Sequence, residues 1–232
     1  MGHDDLRLDV LFEDNHLLVI NKPAGLATMG VAEGAPSVLQ IARRYLKDKY
    51  AKPGNVYVGI VSRLDAPVTG LLILARTSKA ASRLTAQFRR GEVEKDYWAL
   101  VDGSVDPPQG TLHDWVRKDE RHRRMHLTGP HTPGAQEAVL AYRTLAATPR
   151  ATLLEIRLHT GRKHQIRVQL SHAGHPILGD RKYGSRRKFP AGIGLHGRRL
   201  VLQHPVRRQP LELVAPLPPS WRGYADLGGD RG

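Results

Sequence analysis

The chain has 232 residues, with 36 Lys and Arg against 22 Asp and Glu, for a formal net charge of +14 at pH 7. Residues of the AVILMFWYC set make up 40%, which suits a packed globular core and is too many for a disordered chain. No apolar run reaches the ~18 residues of a membrane helix, the MGHDDLRLDV start has no secretory apolar region, and the absence of Cys excludes disulfides, thiol catalysis and thiolate metal sites. The expectation is a cytoplasmic protein that does not enter a membrane. The positive charge points to a polyanionic partner, since phosphate backbones attract Lys and Arg by counterion release. Arg outnumbers Lys, so a GC-rich genome is an alternative source of the excess.

In chain order, Leu17 to Ile20 is a short apolar run stopped by Lys22-Pro23, which predicts a buried strand and a turn. Ser37 is placed to cap a helix from Val38 to Tyr50, with Ile41, Ala42, Tyr45 and Leu46 on one face and Lys47 and Lys49 near its end. Strands are predicted over 56–61 and 71–75, with the loop RLDAPVTG between them. Thr77 or Ser78 caps the next helix, whose stripe is Ala80, Ala81, Leu84 and Phe88 and whose stop is Gly91. A strand over 97–101 follows. Residues 103–134, rich in Pro, Gly, His and Arg, predict a long excursion with short hairpins. Paired strands are predicted over 138–145 and 152–158, a helix over 163–173, and strands over 200–203 and 211–214. The LGGDRG end is expected to be disordered. Strands and helices alternate without a regular βαβ rhythm, repeat or linker, which favours one α+β domain.

Three segments could carry chemistry. Arg63-Leu64-Asp65 places an acid beside a cation on a loop between apolar strands; an exposed turn Asp is the plainer alternative. Lys95-Asp96-Tyr97-Trp98 enters a strand with an aromatic beside a cation, suited to stacking on a base; a core aromatic is the alternative. In Thr160 to Arg167, Gly161 supplies a turn, and Arg162, Lys163, His164 and Gln165 follow at a helix start, where phosphate is favoured. A helix start normally takes acidic residues, so this cationic cluster points to binding. His172-x-x-His175 and His122-x-x-x-His126 have ligand-like spacing but no acidic partner at zinc-site spacing, and no metal is expected.

These segments occur together and in order. HLLVINKPAGL, VSRLDAPVTGLLILARTSKAASRL, EKDYWALVDG and GRKHQIRVQLSHAGHPILGDRKYG resemble the motifs of the RluA-type pseudouridine synthase family, over roughly residues 10 to 215. The resemblance implies a single pseudouridine-synthase-like α+β domain over residues 10–218, with a central mixed, mostly antiparallel sheet and flanking helices. Residues 1–9 are then an N-terminal extension and 219–232 a C-terminal tail. It implies an isomerase that breaks the glycosidic bond of a uridine in rRNA or tRNA, turns the base and rejoins ribose to carbon 5, with no cofactor. Asp65 would be the catalytic carboxylate, Tyr97 would pack on the uracil and aid removal of the carbon-5 proton, and Arg167 would pair with Asp65. Arg63 would fill the gap left by the flipped nucleotide, and Arg162, His164 and Gln165 would bind RNA. Ser62 stands where the family often has His, and Val68-Thr69-Gly70 where it often has Thr-Ser-Gly, which leaves the substrate subgroup open. The first motif begins near residue 10, so RNA grip is expected from the catalytic domain itself. Candidates are Arg89-Arg90, Arg121 to Arg124, Arg186 to Lys188, Arg198-Arg199 and Arg207-Arg208. The protein is expected to be a monomer. The competing class is a non-catalytic RNA-binding or ribosome-assembly factor on the same fold.

Overall fold

The computed structural model describes residues 7–32 and 35–225. The LGGDRG end lies outside them. The elements in chain order are β1 (Val10–Glu13), β2 (Leu17–Lys22), α1 (Val38–Lys49), β3 (Gly59–Ile60), β4 (Thr69–Ala75), α2 (Ser78–Arg90) and β5 (Glu94–Asp102). There follow β6 (Gln109–Asp119), β7 (Arg124–Thr128), β8 (Gln136–Ala147), β9 (Ala151–Leu158), α3 (Gln165–His172), β10 (Leu195–Gln203), β11 (Pro210–Val214) and α4 (Arg222–Ala225). They form two compact units. The first runs to Val93 and takes in Gly197–Pro216; the second is Glu94–His196 with the segment from Leu217 onward.

In the first unit the strand order is β1-β2-β4-β10, with β11 on β10 and β3 on β4. Every residue of β4 is buried, as its continuous apolar run TGLLILA requires of a strand covered on both faces. Helix α1 starts in a capping box. The Ser37 hydroxyl receives the Gln40 amide hydrogen, and the Gln40 side chain receives that of Ser37 at 2.9 Å. The Thr77 hydroxyl caps α2 at the Ala80 amide (3.2 Å), and Gly91 closes it with a left-handed φ of 72°. Leu17, Val19, Leu71, Ile73, Leu84 and Leu200 form the centre of this unit's core. The strand predicted over 56–61 is reduced to Gly59–Ile60, because Tyr57 is exposed and of the residues before Gly59 only Val58 is buried.

In the second unit the order is β5-β9-β8-β6-β7. Within residues 103–134 the expected hairpin is present and is longer than predicted: β6 and β7 are closed at residues 120–123 and paired from Trp115↔Thr128 to Asp119↔Arg124. Helix α3 begins two residues later than predicted, at Gln165, because His164 adopts a left-handed φ of 53°. The Pro-rich tail is packed as far as Trp221, which is 1% exposed against Leu178 and Phe189. All pairings between the named strands described here are antiparallel. The class is α+β with a mostly antiparallel sheet and a few helices, as expected.

Candidate active site

In the first unit, Asp65 lies on the loop between β3 and β4, half-buried, with Arg63 exposed two residues before it. The loop is fastened from the NKPAGLAT segment. The Lys22 side chain is fully buried, and its ammonium donates to the carbonyls of Pro23 (2.7 Å), Leu26 (2.8 Å) and Ala66 (3.1 Å). The Thr28 hydroxyl donates to the Leu64 carbonyl (2.9 Å), and the Gly25 amide to that of Ala66 (2.8 Å). Asp65 itself opens a turn in which its carbonyl accepts from the Val68 amide (3.0 Å). Leu64 and Val68, the buried residues on either side, anchor the turn in the core. Burial pulls the Lys22 ammonium down to about 7, while the nearby Asp65 carboxylate acts to raise it. Gly70, the second residue of β4, has φ +110°, and a Cβ there would collide with the Gly197 carbonyl oxygen. Only glycine allows that backbone approach.

In the second unit, Tyr97 is half-buried on β5, opposite Ile156 of β9, and shares its strand face with Lys95. Burial lowers the Lys95 ammonium from its ordinary value. On the other face Asp96 takes a two-pronged hydrogen bond from Arg157 at 2.8 and 3.0 Å. Arg167 lies on α3, 5% exposed, and its guanidinium grips the Asp180 carboxylate through Nε at 2.7 Å and Nη2 at 2.9 Å. The guanidinium also stands 5.0 Å from the Tyr183 ring centre. The Tyr183 hydroxyl accepts the Met125 amide hydrogen of β7 (2.9 Å) and lies 2.7 Å from His164 Nδ1. Arg167 and His164 are therefore joined through one buried tyrosine.

Gln165 is 3% exposed. Its side-chain oxygen receives the Thr160 hydroxyl (2.8 Å) and the Arg162 amide (3.0 Å), and its nitrogen donates to the Val139 carbonyl (3.1 Å). Arg162 is half-buried and donates through Nε to the Glu137 carbonyl at 2.8 Å. The Gly161 turn is thereby clamped onto β8. Among the described residues no group of three or more His, Asp or Glu could hold a metal ion.

Sequence reasoning passed over Lys22, Asp180 and Tyr183. Lys22 figures in the sequence as the end of an apolar run and as part of the first motif, with no role of its own. The signal for the other two was the GDRKYG stretch, whose acid follows a glycine directly after the buried Ile177-Leu178 pair.

Residues 16–172 match the family model described as RNA pseudouridylate synthase. The chain is 37% identical to ribosomal large subunit pseudouridine synthase D of Xylella fastidiosa, covering 92% of this chain and 67% of that protein. It is 34% identical to an uncharacterized RNA pseudouridine synthase of Bacillus subtilis, YhcT, covering 91% and 69%. It thus spans about two thirds of the length of these relatives. Among solved structures, human RNA pseudouridylate synthase domain containing 4 aligns with a TM-score of 0.77 and 28% identity, over 92% of this chain and 91% of that one. The chain belongs to the RNA pseudouridylate synthase family. It is an isomerase of RNA that converts uridine to pseudouridine.

Proposed function

We propose that the substrate is ribosomal RNA, with residues 10–218 as the catalytic domain and Asp65 as the catalytic carboxylate. The observation that carries this is the likeness, over nine tenths of the chain, to enzymes named for the ribosomal large subunit. In the reaction the bond from C1′ to N1 breaks, a bond from C1′ to C5 forms, the C5 proton leaves and N1 gains one. A carboxylate can carry the sugar or base between these steps if its position is fixed. The fastening of residues 64–68 by Lys22 and Thr28 supports that role for Asp65. Tyr97 and Arg167 take the parts in this reaction that the motifs imply. Arg63, Arg162 and His164 contact RNA, and Gln165 serves by holding the Arg162 turn. The protein works as a monomer in the cytoplasm; no described helix is long and apolar enough to cross a membrane.

Pseudouridine mapping on total RNA from cells with and without the gene tests the substrate. Loss of one or a few sites in large-subunit rRNA, restored by the wild-type chain and not by Asp65→Ala, is the expected outcome. Sites lost only from tRNA would overturn the rRNA assignment, and restoration by Asp65→Ala would overturn the role of the carboxylate.

A further inference from the structure

The second unit contains a cavity lined by none of the site residues described above, though Arg187 belongs to one of the basic clusters expected to grip RNA. Its volume is about 420 Å³, and its walls are the β8–β9 turn (residues 148–151), Arg187 and the Gly223-Tyr224 segment of α4. Arg150 is exposed on the turn. Arg187 is half-buried, and its guanidinium donates to the Asp102 carboxylate (3.3 Å) and to the Arg150 carbonyl. These bonds hold one cation against the turn that bears the other. Tyr224 is half-buried, its ring 5.7 Å from that of Phe189 at an interplanar angle of 32°, which fixes it as a wall. Exposed Arg186, Lys188 and Arg222 adjoin the lining residues in sequence, and Arg187 pairs with the Asp102 carboxylate.

The chemistry of this lining is specific. Guanidinium groups take phosphate oxygens in pairs and stack on flat rings. An aromatic face offers a base ~1–3 kcal/mol of stacking in single-stranded nucleic acid, whatever the base. Pockets for small ligands run from roughly 300 to 1,000 Å³, so this one is of the size for a single nucleotide. A flat basic patch would supply the charge without the concavity and without the ring.

We propose that this cavity is an accessory nucleotide pocket: Arg150 and Arg187 hold a phosphate and Tyr224 receives the base of an RNA residue other than the uridine being isomerised. The proposal rests on the RNA substrate class and adds a second point of grip.

The test is fluorescence anisotropy with a labelled twelve-nucleotide single-stranded RNA of mixed sequence, on the full chain. Arg150→Glu is expected to weaken binding at least tenfold and Tyr224→Leu about five- to tenfold, with thermal melting showing both variants folded. Binding within twofold of wild type for both would overturn the pocket. A loss with Arg150→Glu alone would reduce it to a charged patch and overturn the stacking role. Since Tyr224 packs on Phe189, photo-crosslinking of a 4-thiouridine form of the same RNA to wild-type protein gives a check independent of folding. The Tyr224 peptide is expected among the crosslinks, and its absence would count against the base contact. Uridine 5′-monophosphate alone separates a free nucleotide from an RNA strand. Displacement of the twelve-nucleotide RNA only at millimolar levels supports the strand, and displacement at low micromolar levels would overturn it. A wild-type chain that forms no pseudouridine in rRNA would defeat the substrate reading and leave these binding results to stand or fall separately.

Discussion

Lys22 and Arg167 are two buried cations held in opposite ways. Lys22, with no exposed surface, meets three neutral carbonyl oxygens. Arg167, 5% exposed, meets the two oxygens of one carboxylate and the face of Tyr183. An ammonium can shed its proton when burial becomes too costly, and Lys22 is pulled to about 7. A guanidinium cannot, so it requires a counter-charge in a fixed place. The first arrangement fastens a loop; the second fixes a charge and its direction.

The largest effect should come from taking the counter-charge away. Asp180→Ala leaves the Arg167 guanidinium without its two-pronged carboxylate, and breaking a buried pair costs ~3–5 kcal/mol. Chemical denaturation should show a loss of that size. A loss under about 1 kcal/mol would mean that Asp180 is not what accommodates this charge.

Arg167→Lys keeps the charge and removes the planar fork. One of the two hydrogen bonds to Asp180 is lost, along with the guanidinium contact on Tyr183, for a cost of about 1.5–3 kcal/mol. Single-turnover tritium release from carbon-5-labelled RNA should fall further than RNA affinity does, since displacing a group by ~1 Å can cost on the order of a hundredfold in rate. Equal losses in rate and affinity would favour a mere phosphate contact.

Lys22→Met should cost less, ~1–3 kcal/mol, because three carbonyls lose their donor but a buried charge disappears with it. Its pH dependence is the sharper test. The folded value near 7 lies below the ordinary 10.5, so the unfolded chain binds more protons between these limits. Wild-type stability should therefore rise as pH goes from 7 to 10.5, and the gap to the Met variant should widen over that window. A flat gap would show that the three carbonyls, which match the three hydrogens of an ammonium, together with the nearby Asp65 carboxylate keep Lys22 charged despite burial.

The contrast also explains what the sequence could and could not reveal. Helix α1 was legible because Ser37, Gln40 and the apolar face at Ile41, Ala42 and Leu46 act locally. The Asp65 loop stood out because an Arg-Leu-Asp triplet interrupts two apolar runs. Lys22 was not legible as a buried donor, since its acceptors include a carbonyl 44 residues away. Asp180 belongs to Arg167 only through the fold of the twelve residues between them. A hairpin is predicted within residues 103–134, but the length of β6 was hidden for a different reason. Gln109, Thr111, His113, Arg117 and Lys118 face solvent, so the strand lacks the apolar signature of β4.

Glu13 inverts the Lys22 arrangement and should give the smallest effect. It is an anion at the end of β1 surrounded by donors: Tyr45 (2.7 Å), Lys49 (2.7 Å), Tyr50 (2.6 Å) and Arg76 (3.0 Å). Burial alone would raise its carboxyl; the hydrogen bonds from Lys49, Tyr50 and Tyr45 outweigh that and hold it at about 2. The value in the unfolded chain is 4.5, so the stabilisation is complete above pH 4.5 and is lost as pH falls toward 2. Glu13→Gln should cost about 1 kcal/mol at neutral pH: Lys49, with 46% of its side chain exposed, is screened by solvent, and the amide oxygen can still accept from the buried Arg76. Between pH 4.5 and 2 the variant should lose stability less steeply than wild type, as followed by urea denaturation at a series of pH values. Parallel slopes would mean that the ring of donors does not hold the carboxylate. Glu13 would then owe its position to the pairing of β1 with β2, and the symmetry with Lys22 would fail.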